Sequence, residues 1–179
     1  MAAFLWIFWS FSLLGWVLER LFAAVTRSPR RRRRCLLLLP LCPVYGLGMA
    51  AVLALPPSLR SGWPLYLWGG LTATSVEYIY HWWGETFLGV SFWDYTGVFG
   101  NLRGRVCLPF SLAWGLLLFP AVYLVTPPVL ALADRVPVGV TWWLLLAFTA
   151  DAVCSLRFLA VTHDLEALRA VIWPVSADR

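Results

Sequence analysis

The chain has 179 residues, 61% of them hydrophobic and 13% charged, with a formal net charge of +5 and a mean hydropathy of +0.76. Soluble domains average about 45–50% apolar and about 25% charged residues, so this composition excludes a soluble globular protein and points to an integral membrane one. The positive charge is concentrated in Arg30 to Arg34, just after Arg27; it describes one loop, not a basic surface, and gives nucleic acid no footing as a partner.

The first apolar segment, about Phe4 to Val25, is long enough to cross a bilayer. It lacks the basic start and small-residue cleavage site of a secretory signal, so it is expected to stay in the mature protein. Further spans are expected at about Leu36 to Leu55, Leu65 to Val90, Val106 to Val125 and Val138 to Val161, each near the ~20 residues a crossing needs. In the second, Pro40 and Pro43 remove two backbone donors and Gly46 and Gly48 follow at once, which predicts a broken helix from Pro40 to Gly48. Pro56, Pro57, Ser61, Gly62 and Pro64 end it in an outer loop.

The arginines alternate between rich and poor loops: six in the first, Arg60 in the second, Arg103 and Arg105 in the third, Arg135 in the fourth, Arg169 and Arg179 in the tail. The positive-inside rule then sets the amino terminus outside and the carboxyl terminus in the cytoplasm. The expected architecture is an all-α, multi-pass helical protein of the plasma (inner) membrane. It has five transmembrane helices in a single domain over residues 1–162 and a short cytoplasmic tail over 163–179.

A tandem repeat is also suggested. Laying Arg34 to Gly46 over Arg103 to Gly115 matches Arg34 with Arg103, Pro40 with Pro109 and Tyr45-Gly46 with Trp114-Gly115, while Trp16 and Glu19 share their spacing with Trp82 and Glu85. Spans one and two would then recur as spans three and four, a parallel duplication of a helical hairpin.

Acids inside spans are costly, about 2.5–3.5 kcal/mol or more at bilayer depth. Glu77, His81 and Glu85 recur at i, i+4 and i+8, so they form one helical stripe running from mid-membrane towards the cytoplasm. They suit a proton, cation or polar-substrate path, or else a buried hydrogen-bond set holding helices together. Glu19 and Asp151 fall at the depth of Glu85, near Arg20, Arg157, Arg103 and Arg105.

Between spans three and four lies a polar, glycine-broken island, Trp93 to Arg105. Asp94 is flanked there by Trp93 and Tyr95, and Gly97, Gly100 and Gly104 permit tight turns. Asn101, Arg103 and Arg105 offer an amide and two guanidiniums to a phosphate or carboxylate, with pairing to Asp94, Glu85 and Glu19 as the alternative. Cys35, Cys42, Cys107 and Cys154 show no CxxC and no metal-ligand spacing, so they are expected as buried or interfacial free thiols, and no metal or cofactor is expected.

Gly15-Trp16-x-x-Glu19, Pro40-x-x-Pro43-x-Tyr45-Gly46-x-Gly48, Glu77-Tyr78, Trp93-Asp94-Tyr95 and Asn101-x-x-Gly104-Arg105-Val106-Cys107 together resemble the ABC-transporter type IV, or CmpB-like, family of bacterial membrane proteins. The first loop departs from it, with an arginine run where similar proteins carry Asn-Arg-Gly. The resemblance implies a permease-type subunit. The chain has no GxxxxGK[ST] phosphate loop, so any ATP drive requires a separate ATPase subunit, and five spans require a homo-oligomer or a second membrane subunit for a full path.

The expectation is a transport-related subunit whose cytoplasmic-facing cavity binds a small polar solute or ion. Its candidate residues are Glu19, Glu77, His81, Glu85, Asp94, Tyr95, Asn101, Arg103, Arg105 and Asp151. The alternatives are an enzyme acting on a lipid head group, which no nucleophile or metal motif supports, and a structural or assembly protein of the bilayer.

Overall fold

The computed structural model describes residues 1–26 and 35–170, which build an all-helical fold. The arginine run of the first loop and the chain beyond residue 170 lie outside the described residues. Helix α1 is Ala2–Thr26, α2 is Pro43–Ala54, α3 covers residues 62–88, α4 is Leu108–Arg135, α5 is Val138–Thr162 and α6 is Leu165–Ala170. Among the described residues, three stretches are long and apolar enough to cross a membrane: Ala2–Val25, Leu108–Arg135 and Val138–Thr162. Leu21, Leu116, Leu124 and Trp143 are each at least 60% exposed. An apolar surface of that kind belongs in lipid.

Helix α1 packs along α2, α2 along α3 and α3 along α4, while the Thr126–Arg135 part of α4 returns to α1. Helix α5 lies beside this group, touching α1 and the Gly84–Leu88 end of α3. Two cores result. Ile7, Phe11, Met49, Val52, Leu65 and Leu118 form one at the end of the bundle where α2 meets the start of α1. The other lies at the opposite end and joins Leu36, Leu37, Phe92, Trp93 and Tyr95 to Leu159 of α5 and to Leu165 and Leu168 of α6.

The second apolar segment differs from the expected span. Residues 35–42 are not helical, and α2 begins only at Pro43, then runs unbroken through Gly46 and Gly48. Pro43 stands in the first turn of the helix, where no amide donor is needed, so it starts the helix and does not kink it. The open chain before it is satisfied from outside: the Cys42 amide donates to the Ser12 carbonyl over 2.9 Å, and the Leu38 and Leu39 amides donate to Asp151 over 3.1 and 2.9 Å. The same segment closes a ring, because Cys35 and Cys42 are bonded as a disulfide with Cα atoms 5.1 Å apart, an ordinary separation for such a bridge. The expectation of four free thiols is corrected there by the turn at 36–40, which folds the two cysteines together. Cys107 is buried and Cys154 exposed.

The fourth expected span lies within a longer helix. It continues past Val125 through Pro127 and Pro128 to Arg135, which ends a helix and does not sit in a loop. A wide π turn at Ala121–Val125 makes this possible: it absorbs the mismatch that the prolines' missing donors would create, and the Thr126 hydroxyl donates to the Ala121 carbonyl over 2.8 Å. The two hairpins suggested as a repeat therefore differ in helix length, and the matched Tyr45 and Trp114 turn to acids at unmatched positions.

Candidate functional site

The polar island folds onto itself. Val98 and Asn101 each donate an amide to the carbonyl three residues earlier, and Leu102 pairs with Val106. Three residues link that pair; Arg103 and Gly104, at φ 54° and 69°, are the central residues of the turn in which the Arg105 amide donates to the Leu102 carbonyl over 3.1 Å, the conformation tight hairpins favour. A side chain on Gly104 would stand 2.9 Å from Thr96 Oγ1 and 3.0 Å from Asp94 Oδ1, so both its φ and its space require glycine. The Trp93 indole donates to the Arg105 carbonyl over 2.7 Å and the Tyr95 amide to the Gly104 carbonyl over 2.8 Å. Phe92, Trp93 and Tyr95 are buried, while Asp94, Asn101 and Arg103 face outward.

Asp94 and Asn101 shape this loop. Asp94 accepts the Thr96 amide over 2.8 Å, and the Thr96 hydroxyl and amide together hold its carboxyl below the usual carboxylate range. Asn101 donates to the Val98 carbonyl over 2.9 Å and accepts the Gly104 amide over 3.2 Å. Both are side chains that make turns.

Arg105 faces α3. Its Nε donates to Glu85 over 2.7 Å and its Nη1 to the Tyr78 hydroxyl over 2.8 Å, with the guanidinium 5.1 Å from the Tyr78 ring centroid. Glu85 holds that guanidinium protonated above its already high range. The other Glu85 oxygen lies 3.1 Å from His81 Nε2, which is also 3.2 Å from the Ser91 hydroxyl. Glu85, His81 and Arg105 are thus one cluster.

Glu77 heads a second group. Only 2% exposed, it accepts the Tyr95 hydroxyl on Oε1 over 3.2 Å and the Trp114 indole N–H on Oε2 over 2.6 Å. Tyr95 stacks on Phe110 with centroids 5.0 Å apart, and Trp114 meets the Tyr45 ring edge-on at 5.4 Å. The Tyr45 hydroxyl donates in turn to Glu19. A side chain on Gly15 would overlap the Tyr45 ring, so α1 lacks one there and the ring can lie against it. Glu19, Tyr45, Trp114, Glu77 and Tyr95 form one string through α1, α2, α4, α3 and the loop.

Asp151 joins neither group. It sits on α5, takes the two amides of the open segment and accepts the Ser155 hydroxyl over 2.9 Å. Among the candidates, then, Glu77 and Tyr95 meet, as do His81, Glu85 and Arg105, whereas Asn101 and Arg103 stand at the outer turn. Tyr45, Tyr78, Ser91 and Trp114 complete these contacts and were absent from the sequence-derived set. The sequence signals were the shared place of Tyr45 and Trp114 in the aligned hairpins and the presence of Tyr45 and Tyr78 in the family motifs. Among the described residues no three His, Cys, Asp or Glu side chains converge as a metal site.

Beside Glu77 lies a cavity of about 340 Å³ between α1 and α4. Val44, Tyr45, Gly48 and Met49 of α2 and Ala73 and Glu77 of α3 line it from behind. Leu14, Val17, Leu18 and Leu21 of α1 face Leu117, Leu118 and Ala121 of α4 across it.

A family model described as "Putative ABC-transporter type IV" matches residues 6–156. The chain belongs to that family. The part matched to this ABC-transporter family holds the whole string from Glu19 to Trp114, the Glu85 cluster and Asp151. No curated protein and no solved structure matches the chain.

Proposed function

We propose that this protein is the permease-type membrane subunit of a transport system and that Glu77 is the acid of its solute site. One observation carries the reading: a carboxylate 2% exposed, deep in an apolar bundle, ties the polar loop to α4 and lines a cavity at the same time. An acid so placed accepts hydrogen bonds and carries or balances charge, so the solute is a small molecule or ion with donors or positive charge. Glu85, Asp94 and Asp151 hold Arg105, Thr96 and the open segment, whereas Glu77 lines the cavity, which supports placing the solute role at Glu77.

In this reading the bundle crosses the inner membrane five times, with α2 and residues 35–42 sharing one crossing, α3 making another and the Trp93 to Arg105 loop on the cytoplasmic side. Family membership supports a transport component; the sequence holds no ATP-binding loop of its own, so ATP drive belongs to a separate subunit. A second copy or a second membrane subunit completes the path.

The test is charge displacement across reconstituted membranes on addition of a panel of amines, amino acids and inorganic cations. The wild-type protein responds to a subset, and Glu77→Gln abolishes that response while its thermal midpoint in detergent stays near wild type. An undiminished response in the folded variant overturns the role of Glu77.

A further inference from the structure

We propose that the window between α1 and α4 binds a single-chain amphiphile whose head group donates a hydrogen bond to Glu77. The cavity of about 340 Å³ falls at the small end of ligand-site volumes, about 300–1,000 Å³, a size that suits one chain. Its walls towards the outside are Leu14, Val17 and Leu18 of α1 and Leu117 of α4, each 39–44% exposed. The opening therefore faces sideways into the lipid, from which a chain can slide in without crossing water.

The head group decides what binds. A tail leaving lipid for an apolar wall gains little, because lipid is as apolar as leucine. Selectivity then falls to the polar side of the cavity, formed by Glu77 with the Tyr45 and Trp114 rings. Both Glu77 oxygens act as acceptors, for the Tyr95 hydroxyl and the Trp114 indole, so an alcohol or amine head, which donates, extends that pattern, whereas an ester head has no donor to offer. Room remains for the tail: Gly48 lines the cavity, and nothing lies within 4 Å of the place its side chain would take.

This site shares Glu77 with the transport reading and stands without it, because binding is measured on protein that is not transporting. The probe is a twelve-carbon alcohol carrying an aliphatic photo-crosslinker, applied to the full chain in maltoside detergent, with labelled peptides identified by mass spectrometry. Label is expected on the α1 stretch around Leu14 to Leu21 and the α4 stretch around Trp114 to Val125. Dodecanol and dodecylamine are expected to compete at least tenfold better than methyl dodecanoate.

Gly48→Leu fills the space from within, and Leu117→Trp narrows it from the lipid side; each is expected to cut labelling about tenfold. Glu77→Gln is expected to weaken competition by the amine about tenfold and by the alcohol less than twofold. Label spread evenly over all helices, equal competition by the ester, or full labelling in either folded filling variant overturns the site. Loss of labelling specificity with Glu77-dependent transport intact rejects this inference alone.

Discussion

Trp114 hands its indole N–H to Glu77 across 2.6 Å and so fastens α4 to α3 through a buried carboxylate. Trp114→Phe keeps an aromatic ring and removes the donor. Leaving a buried acceptor without its partner costs about 1–3 kcal/mol, and the thermal midpoint in detergent is expected to fall by several degrees. In a double-mutant cycle, Trp114→Phe is expected to cost clearly less in the Glu77→Gln background than in wild type; an equal cost in both would show that the contact does not couple the helices.

Asp151→Ala takes the acceptor from the Leu38 and Leu39 amides and from the Ser155 hydroxyl together. Three donors lose their acceptor at once, so the loss is about 2–4 kcal/mol. Asp151→Asn, which keeps one acceptor oxygen, is expected to lose roughly half of that. Hydrogen exchange at residues 36–40 checks the mechanism: protection there should fall first and most.

The Cys35–Cys42 bridge makes a countable prediction. Denatured without reduction, the protein is expected to take up two alkylating groups, at Cys107 and Cys154, and four after reduction. Closing so short a ring contributes about 2–3 kcal/mol. Four adducts before reduction would remove the bridge from the account.

Much of the helical layout was legible because α1 and α5 are long, largely apolar runs free of proline, and the i, i+4 contact of His81 with Glu85 follows from helical spacing alone. The rest was hidden by position or distance. Pro43 signals a helix boundary equally well from either side, and only the packing of Cys42 against Ser12 makes it a beginning. Thr126-Pro127-Pro128 looks like a stop until a π turn precedes it. The partners of Glu77 come from 18 and 37 residues away, and no local period announces them. A leucine run between Cys35 and Cys42 gives no sign that the chain doubles back.

Asp94 gives the loop a pH dependence. Its folded carboxyl titrates below the ordinary value of 3.8, so the unfolded chain takes up the proton first as pH falls. The stabilising effect is complete above that ordinary value and is lost as pH drops through the folded one. Asp94→Asn keeps the acceptor and removes the charge. The thermal midpoints of wild type and variant should therefore differ slightly at pH 6, and the gap should narrow as pH falls below 3.8. A gap that does not change with pH would show that the charge is not its source.

The two amides that Asp151 receives lie 113 and 112 residues before it in the chain. During synthesis, residues 35–42 emerge long before α5 does, and among the described residues Asp151 is the acceptor of the Leu38 and Leu39 amides. That open segment is therefore completed late in assembly: it is made early and locked only when α5 arrives. A ribosome stalled before Val138 would leave a nascent chain whose middle is still waiting for its end.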